Sequence, residues 1–359
     1  MLSNSIYFFN NSTNTDLLHN KLTNKEKQSK TKVVHHIVSL HFFSLNEIEI
    51  SKIIKQMHTD FHYSRRYYLF ETAQPLKIAE LESTPGSLRA ISIKRDIKND
   101  DNLLLTFEKR ELIYLDLNLK SLRSSKKYIF QLIEFYRYLL RSIDLLVAAG
   151  IVHNNINLNT IVVDSFDTPI LTNFMYSINL HKFDTTSAMT SYISHFLSRE
   201  IKDELRWPIE FCILKYQLTN KLDSLSLYNI ETIVRQYVAD HTILNTFGTD
   251  VVQNYLADGL LYFGKYTNKS FEQNVADILK YSHTWDNYAL SIVYLRILIG
   301  LHRVINVNNK FIILFMKLLV SNITLDPSKR HSLQLTYEKF EKMLNNIDLD
   351  DYQMLVRML

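Results

Sequence analysis

The chain has 359 residues, of which 46% are hydrophobic and 22% charged, with a formal net charge of +4. That is the composition of an ordinary globular protein long enough to bury a sizeable core. Much of the charge is local, because residues 1–32 carry five lysines against Asp16 and Glu26, and the near-neutral remainder argues against a dedicated nucleic-acid surface.

Cys212 is the only cysteine, which excludes intrachain disulfides and Cys-based metal clusters and fits a buried thiol in a reducing interior, cytosol or nucleus. Six glycines in the whole chain leave little material for a phosphate-cradling loop. No apolar run approaches the roughly 18–20 residues that span a bilayer. The start has no basic segment followed by a sustained apolar stretch, so neither a secretory signal nor a membrane partner is expected.

Residues 1–31, rich in Asn, Ser, Thr and Lys, predict a mobile tail. Val33–Leu40 has the β-branched character of a strand. Ser44 and Glu47 have the spacing of a capping box in front of the apolar series Ile48, Ile50, Ile53, Ile54 and Met57, which predicts a helix start there. Strands are expected over Tyr67–Glu71 and Leu103–Leu117, with a turn at Pro85 and Gly86 between them. After about residue 120 the pattern turns helical. Ile129, Leu132, Ile133, Tyr136, Leu139, Leu140, Ile143, Leu146 and Val147 recur at helical spacing, and Gly150 sits where such a helix ends. A short loop and a hairpin turning at Asp167–Pro169 follow, and from Glu200 onward the chain reads as helices, including a buried one from Phe311.

The segment IVHNNINLNTIVVDSFDTPILTNF, beginning at Ile151, resembles the catalytic and magnesium loops of eukaryotic-type protein kinases. His153 matches the family's His-Arg-Asp, Asn154 and Asn155 replace its Arg and catalytic Asp, and Thr160 stands at the metal-binding Asn. Asn173-Phe174-Met175 replaces Asp-Phe-Gly. Trp207–Glu210 resembles the Ala-Pro-Glu motif, Trp285–Gly300 the helix with a buried Asp (Asp286), and Asp326–Arg330 the stretch that supplies the glutamate's Arg partner. The likeness is firmest over residues 128–180 and 285–335. It implies an α+β, two-lobed fold: a β-rich N-lobe over 32–117 and a helical C-lobe over 118–359. It also implies that Glu210 and Arg330 meet. The span from Glu210 to Asp286 is far longer than in the family, so residues 211–284 read as a helical insertion whose apolar face (Ile230, Ile233, Val234, Tyr237, Val238) packs on the large lobe. The Asn-, Ile- and Lys-rich style is similar to kinase-like proteins of large DNA viruses, which implies the host cytoplasm as its setting.

The replaced residues change the chemistry that the resemblance implies. Asn155 can orient a hydroxyl but has no useful basicity. Mg²⁺ prefers carboxylate oxygens, and Asn173 and Thr160 offer neutral ones. The family's nucleotide-gripping lysine should lie in the strand at Val33, which offers His35 and His36, with Lys32 at its edge and Glu47 at the position of its glutamate partner. ATP and Mg²⁺ are therefore expected to bind weakly. The leading expectation is an inactive pseudokinase that works as a scaffold by binding a protein. The alternatives are a weak serine/threonine kinase using Lys32, Glu47, Asn155 and Asn173, and a structural component of a viral particle. Thr185, Thr186, Thr190, Ser191 and Tyr192 read as ordinary polar loop residues.

Overall fold

The computed structural model describes residues 33–57, 63–76, 102–122, 127–183, 185–198, 207–302 and 310–346. The tail, Lys32 and the turn at Pro85–Gly86 lie outside these residues. The architecture is mixed α+β, with strands gathered in the N-terminal half and a helix-rich C-terminal region.

The first sheet contains β1 (Val33–Ser39), β2 (Thr72–Leu76) and β3 (Asn102–Glu108), in the antiparallel order β1-β3-β2. The central strand β3 buries Leu103, Leu104, Leu105 and Phe107, as a strand covered on both faces does. The edge strand β2 carries Pro75, which is tolerated where no ladder N–H is needed. The strand expected over Tyr67–Glu71 lies further on, at Thr72–Leu76. The backbone before it turns toward another sheet, with Tyr68 N–H donating to the Leu171 carbonyl and Leu171 N–H to that of Arg66.

Helix α1 (Phe42–Met57) connects β1 to the rest of this region, and it begins earlier than expected. The box that opens it is His41 with Ser44. The Ser44 hydroxyl accepts from His41 N–H (3.0 Å) and the His41 ring nitrogen accepts from Ser44 N–H (3.0 Å). The expected Ser44–Glu47 box is thereby corrected, since the Ser44 hydroxyl is engaged one turn earlier and Glu47 is left for another role.

β4 (Leu112–Tyr114) departs from the first sheet. It pairs with β6 (Ile161–Asp164), which pairs in turn with β7 (Pro169–Leu171). Residues 115–117, expected to extend a strand, instead open α2 (Leu115–Leu122). Two short strands, β5 (Ile151–Val152) and β8 (Ile178–Asn179), form a separate pair.

The large core is built around α3 (Lys127–Ala148), whose Tyr136 ring meets those of Tyr294, Phe315 and Phe340 at 4.7, 4.9 and 4.8 Å. These partners come from α9 (Trp285–His302), α10 (Lys310–Asn322) and α11 (Leu333–Asn345). Gly150 ends α3 with φ of +65°, and a Cβ there would lie 2.4 Å from the His181 ring, so both backbone and space require glycine.

Thr186, Thr190, Ser191 and Tyr192, expected as polar loop residues, instead lie in α4 (Thr186–Leu197), and the Thr185 hydroxyl, expected likewise, caps it at Ala188 N–H. The long segment before α9 carries α5 (Ile209–Thr219), α6 (Leu227–Asp240), α7 (Thr249–Phe263) and α8 (Phe271–Leu279). Capping boxes of Ser226 with Asn229 and Ser270 with Gln273 open α6 and α8. As expected, α6 buries Ile230, Ile233, Val234, Tyr237 and Val238. Its Tyr237 hydroxyl meets that of Tyr288 at 2.5 Å, and on α7 the Tyr255 hydroxyl donates to the Ile323 carbonyl at 2.5 Å. Cys212 on α5 is half-buried rather than buried. No helix among the described residues is long and apolar enough to cross a membrane.

Candidate functional site

The loop from His153 to Thr160 hangs from the start of α9. Asp286, fully buried, accepts from His153 N–H (2.6 Å) with one oxygen and from Asn154 N–H (2.8 Å) with the other. Burial pushes its pKa up to about 6, although the two N–H donors pull the other way. Asn154 adopts φ of +54°, a left-handed turn that asparagine tolerates, and its carbonyl accepts from the Trp207 indole at 3.0 Å.

His153 is enclosed. Its Nδ1 accepts from Asn155 N–H at 3.3 Å, so Nε2 carries the proton and donates to the Thr172 carbonyl at 3.2 Å. Burial lowers its pKa to about 4, which makes it a neutral brace near pH 7. Its ring packs 4.6 Å from that of Phe174.

The structure brings Asn155, Thr160 and Asn173 together. The Asn155 amide donates to the Asn173 carbonyl at 3.3 Å, and the Thr160 hydroxyl donates to the Asn155 carbonyl at 2.6 Å. Asn157 closes the set by donating to Asn155 Oδ1 at 3.2 Å. Asn173 holds φ of +65°, and its buried Oδ1 accepts no hydrogen bond among the described residues. With the Thr160 hydroxyl donating elsewhere, this set presents one neutral oxygen. A hard divalent cation wants several oxygens and at least one carboxylate, so the set does not fit Mg²⁺.

The carboxyl that reaches this segment comes from α1. Glu47 meets the Phe174 N–H, which lowers its pKa, but burial dominates and raises it to about 7. Asn46 beside it, which the sequence did not single out, does more to fix the segment. Its amide donates to the carbonyls of Met175 (3.1 Å) and Ser177 (2.7 Å), and its oxygen accepts from the Tyr192 hydroxyl at 2.9 Å. The spacing of Asn46 with buried Ile50 and Ile54 placed it on the inner face of α1, and that was its only signal.

A raised carboxyl pKa contributes stability that is complete below the unfolded value and lost as pH rises through the folded one. For Glu47 that window runs from about 4.5 to about 7. Glu47→Gln is therefore expected to match the parent at pH 4.5 and to be more stable by on the order of 2 kcal/mol at pH 8. Urea unfolding at both values checks this; equal stability at pH 8 overturns it. His153 has the opposite sign, because its lowered pKa favours folding as pH rises from about 4 to 6.5, so only the difference between variant and parent isolates Glu47.

Glu210 and Arg330 meet, as expected. Arg330 Nη1 and Nη2 donate to the two Glu210 oxygens at 2.7 and 2.9 Å, in a pair whose side chains are 1% and 0% exposed. A cavity of about 710 Å³ lined by Arg66, Phe130, Arg137, Arg141 and Tyr337 lies along α3 and α11, away from the loop. Its cations are engaged: Arg137 with Glu341, Arg66 with Ser142 and Arg141 with Tyr337. No protein-family model matches this chain, and no curated protein sequence does.

Proposed function

We propose that the chain is a divergent member of the eukaryotic-type protein kinase superfamily that has lost phosphoryl transfer and acts as a protein-binding scaffold. The observation that carries this reading is the engagement of Asn155, Thr160 and Asn173 with one another. A transferase needs a proton acceptor and carboxylate metal ligands at such positions. Here an amide and a hydroxyl are turned inward, onto backbone carbonyls. The element order supports the kinase likeness: a strand, a helix, three strands and a short helix precede a long helix, a loop and a hairpin, with Asp286 bracing the loop from below. Glu47 supports the loss of chemistry, because it faces the Phe174 N–H.

The insertion supports a docking role. Leu227, Tyr228 and Leu261 are 65%, 76% and 83% exposed there, and a Cβ at Gly264 would touch the Leu227 side chain at 4.0 Å, which brings the start of α6 beside the end of α7.

Thermal melting with ATP, with and without Mg²⁺ or Mn²⁺, tests the reading. A ligand at about 100 times its Kd stabilises by about 2.7 kcal/mol, so tight nucleotide binding shows as a clear rise in melting temperature. No rise is expected with millimolar ATP, and no phosphate is expected to reach the protein itself or generic substrates. Transfer that disappears in Asn155→Ala would overturn the reading.

A further inference from the structure

The end of α7 carries a cluster of tyrosines that none of the contacts described above employs. The exposed side chain of Lys265 lies along tyrosine rings. Its ammonium lies 3.7 Å from the ring centroid of Tyr262, 5.2 Å from that of Tyr266 and 5.3 Å from that of Tyr281. Lys265 is itself exposed and forms no ion pair among the described residues, so the rings are what hold it. Tyr262 and Tyr281 are half-buried, whereas Tyr266 is 0% exposed and forms the floor.

Two further features mark this as a site rather than as packing. The buried Tyr262 hydroxyl interacts with the phenols of Tyr266 and Tyr281, without a hydrogen bond of ordinary geometry, so the three side chains converge on one another rather than on an outside partner. Burial also holds both phenols well above the ordinary phenol range, so the rings stay neutral and keep their electron-rich faces over the whole working pH range. At the rim, Asp277 takes Lys269 at 2.7 Å and Lys280 at 2.6 Å, which neutralises part of the charge that would repel a cation.

The present occupant is a poor match for such a cage. A primary ammonium is strongly hydrated and gains less from ring faces than a weakly hydrated cation does. A quaternary ammonium carries the same charge with methyl groups outward, and aromatic cages suit it better. The geometry points to a binding site for a trimethylammonium group, formed by the faces of Tyr262, Tyr266 and Tyr281 and closed by Lys265. The site does not rest on the reading of the Asn155 loop and stands or falls by itself. Lys265 acts as an internal competitor, so the apparent affinity is the intrinsic one scaled by the fraction of time it swings out.

Isothermal titration of the full chain with tetramethylammonium chloride, at constant ionic strength, tests this directly. Saturable binding is expected, with Lys265→Ala binding about ten-fold more tightly because the competitor is gone, a gain consistent with one cation–π contact. Tyr262→Phe keeps the ring and should bind, whereas Tyr262→Ala should not. Neopentyl alcohol, a neutral compound with the same tert-butyl shape, should fail. Lys265→Ala changes only an exposed side chain, so the test holds even if Tyr262→Ala does not fold. Trimethyl-lysine and phosphocholine, offered separately, distinguish a modified side chain from a lipid headgroup: the tighter binder assigns the source. No saturable binding to Lys265→Ala, equal binding of the neutral compound, or failure of both trimethylammonium compounds overturns the proposal.

Discussion

Replacing Arg330 with Ala is expected to destabilise the protein by about 3–5 kcal/mol, the cost typical of removing one partner from a buried ion pair. The guanidinium does several things at once. It holds both Glu210 oxygens, donates to the Thr324 carbonyl at 2.8 Å and lies 4.9 Å over the Tyr288 ring. Without it, the Glu210 carboxylate stays buried with the Trp285 indole, at 3.2 Å, as its remaining side-chain donor. Arg330→Lys should rescue little, since an ammonium cannot grip two oxygens in a plane. Glu210→Gln combined with Arg330→Leu should lose less than Arg330→Ala alone, because no unpaired charge is left inside. Urea unfolding of the three variants decides. A loss below about 1 kcal/mol for Arg330→Ala, the range of exposed pairs, would show that the pair does not hold α5 to the region after α10.

Asp286→Ala should also have a large effect, about 2–6 kcal/mol, because it strands two buried N–H donors at about 1–3 kcal/mol each. Those donors belong to His153 and Asn154, at the head of the loop, so the damage should reach the loop itself. Asp286→Asn keeps one accepting oxygen and should recover part of the loss. The pH dependence separates charge from hydrogen bonding. A folded pKa raised to about 6 from 3.8 means that Asp286 contributes less stability as pH rises through 6. The gap between Asp286→Asn and the parent should therefore be widest near pH 4 and narrow by pH 7. A gap constant across that range would show that the carboxyl is not titrating in the folded protein.

What the sequence made legible depended on how local the cause was. The helix α3 and the hairpin of β6 and β7 follow from spacing and from the turn at Asp167, and both stand where they were expected. The inner face of α6 was equally plain. Glu210 and Arg330 were foreseeable through resemblance, not through pattern, since nothing in their own neighbourhoods points from one to the other. The start of α1 was misplaced because Ser44 fits two boxes, and only the position of the His41 ring selects between them. The strand expected at Tyr67 was displaced because its aromatic side chains bury between two sheets, and its backbone bonds go to Leu171. Polar composition hid α4, whose inner face is held by Tyr192 reaching to Asn46 and Ser177. Asn46 had no chemical signature of its own, because its partners are backbone carbonyls that lie 129 and 131 positions away.

The ion pair also bears on the rates of folding. Glu210 and Arg330 are 120 positions apart, and their bonds become dry only after α5, α9 and the turn at Pro327–Lys329 have come together. Closing so long a segment is entropically costly, and the charges lose their water before the contact repays it. The pair should therefore form after the barrier, when the surrounding helices are already in place. Interactions made that late govern how long a folded molecule lasts, not how quickly it is reached. Arg330→Ala should then refold at nearly the parent rate and unfold faster by most of its equilibrium loss. On this account the buried pair works as a latch on the lifetime of the native state, closed last on the way in and opened first on the way out.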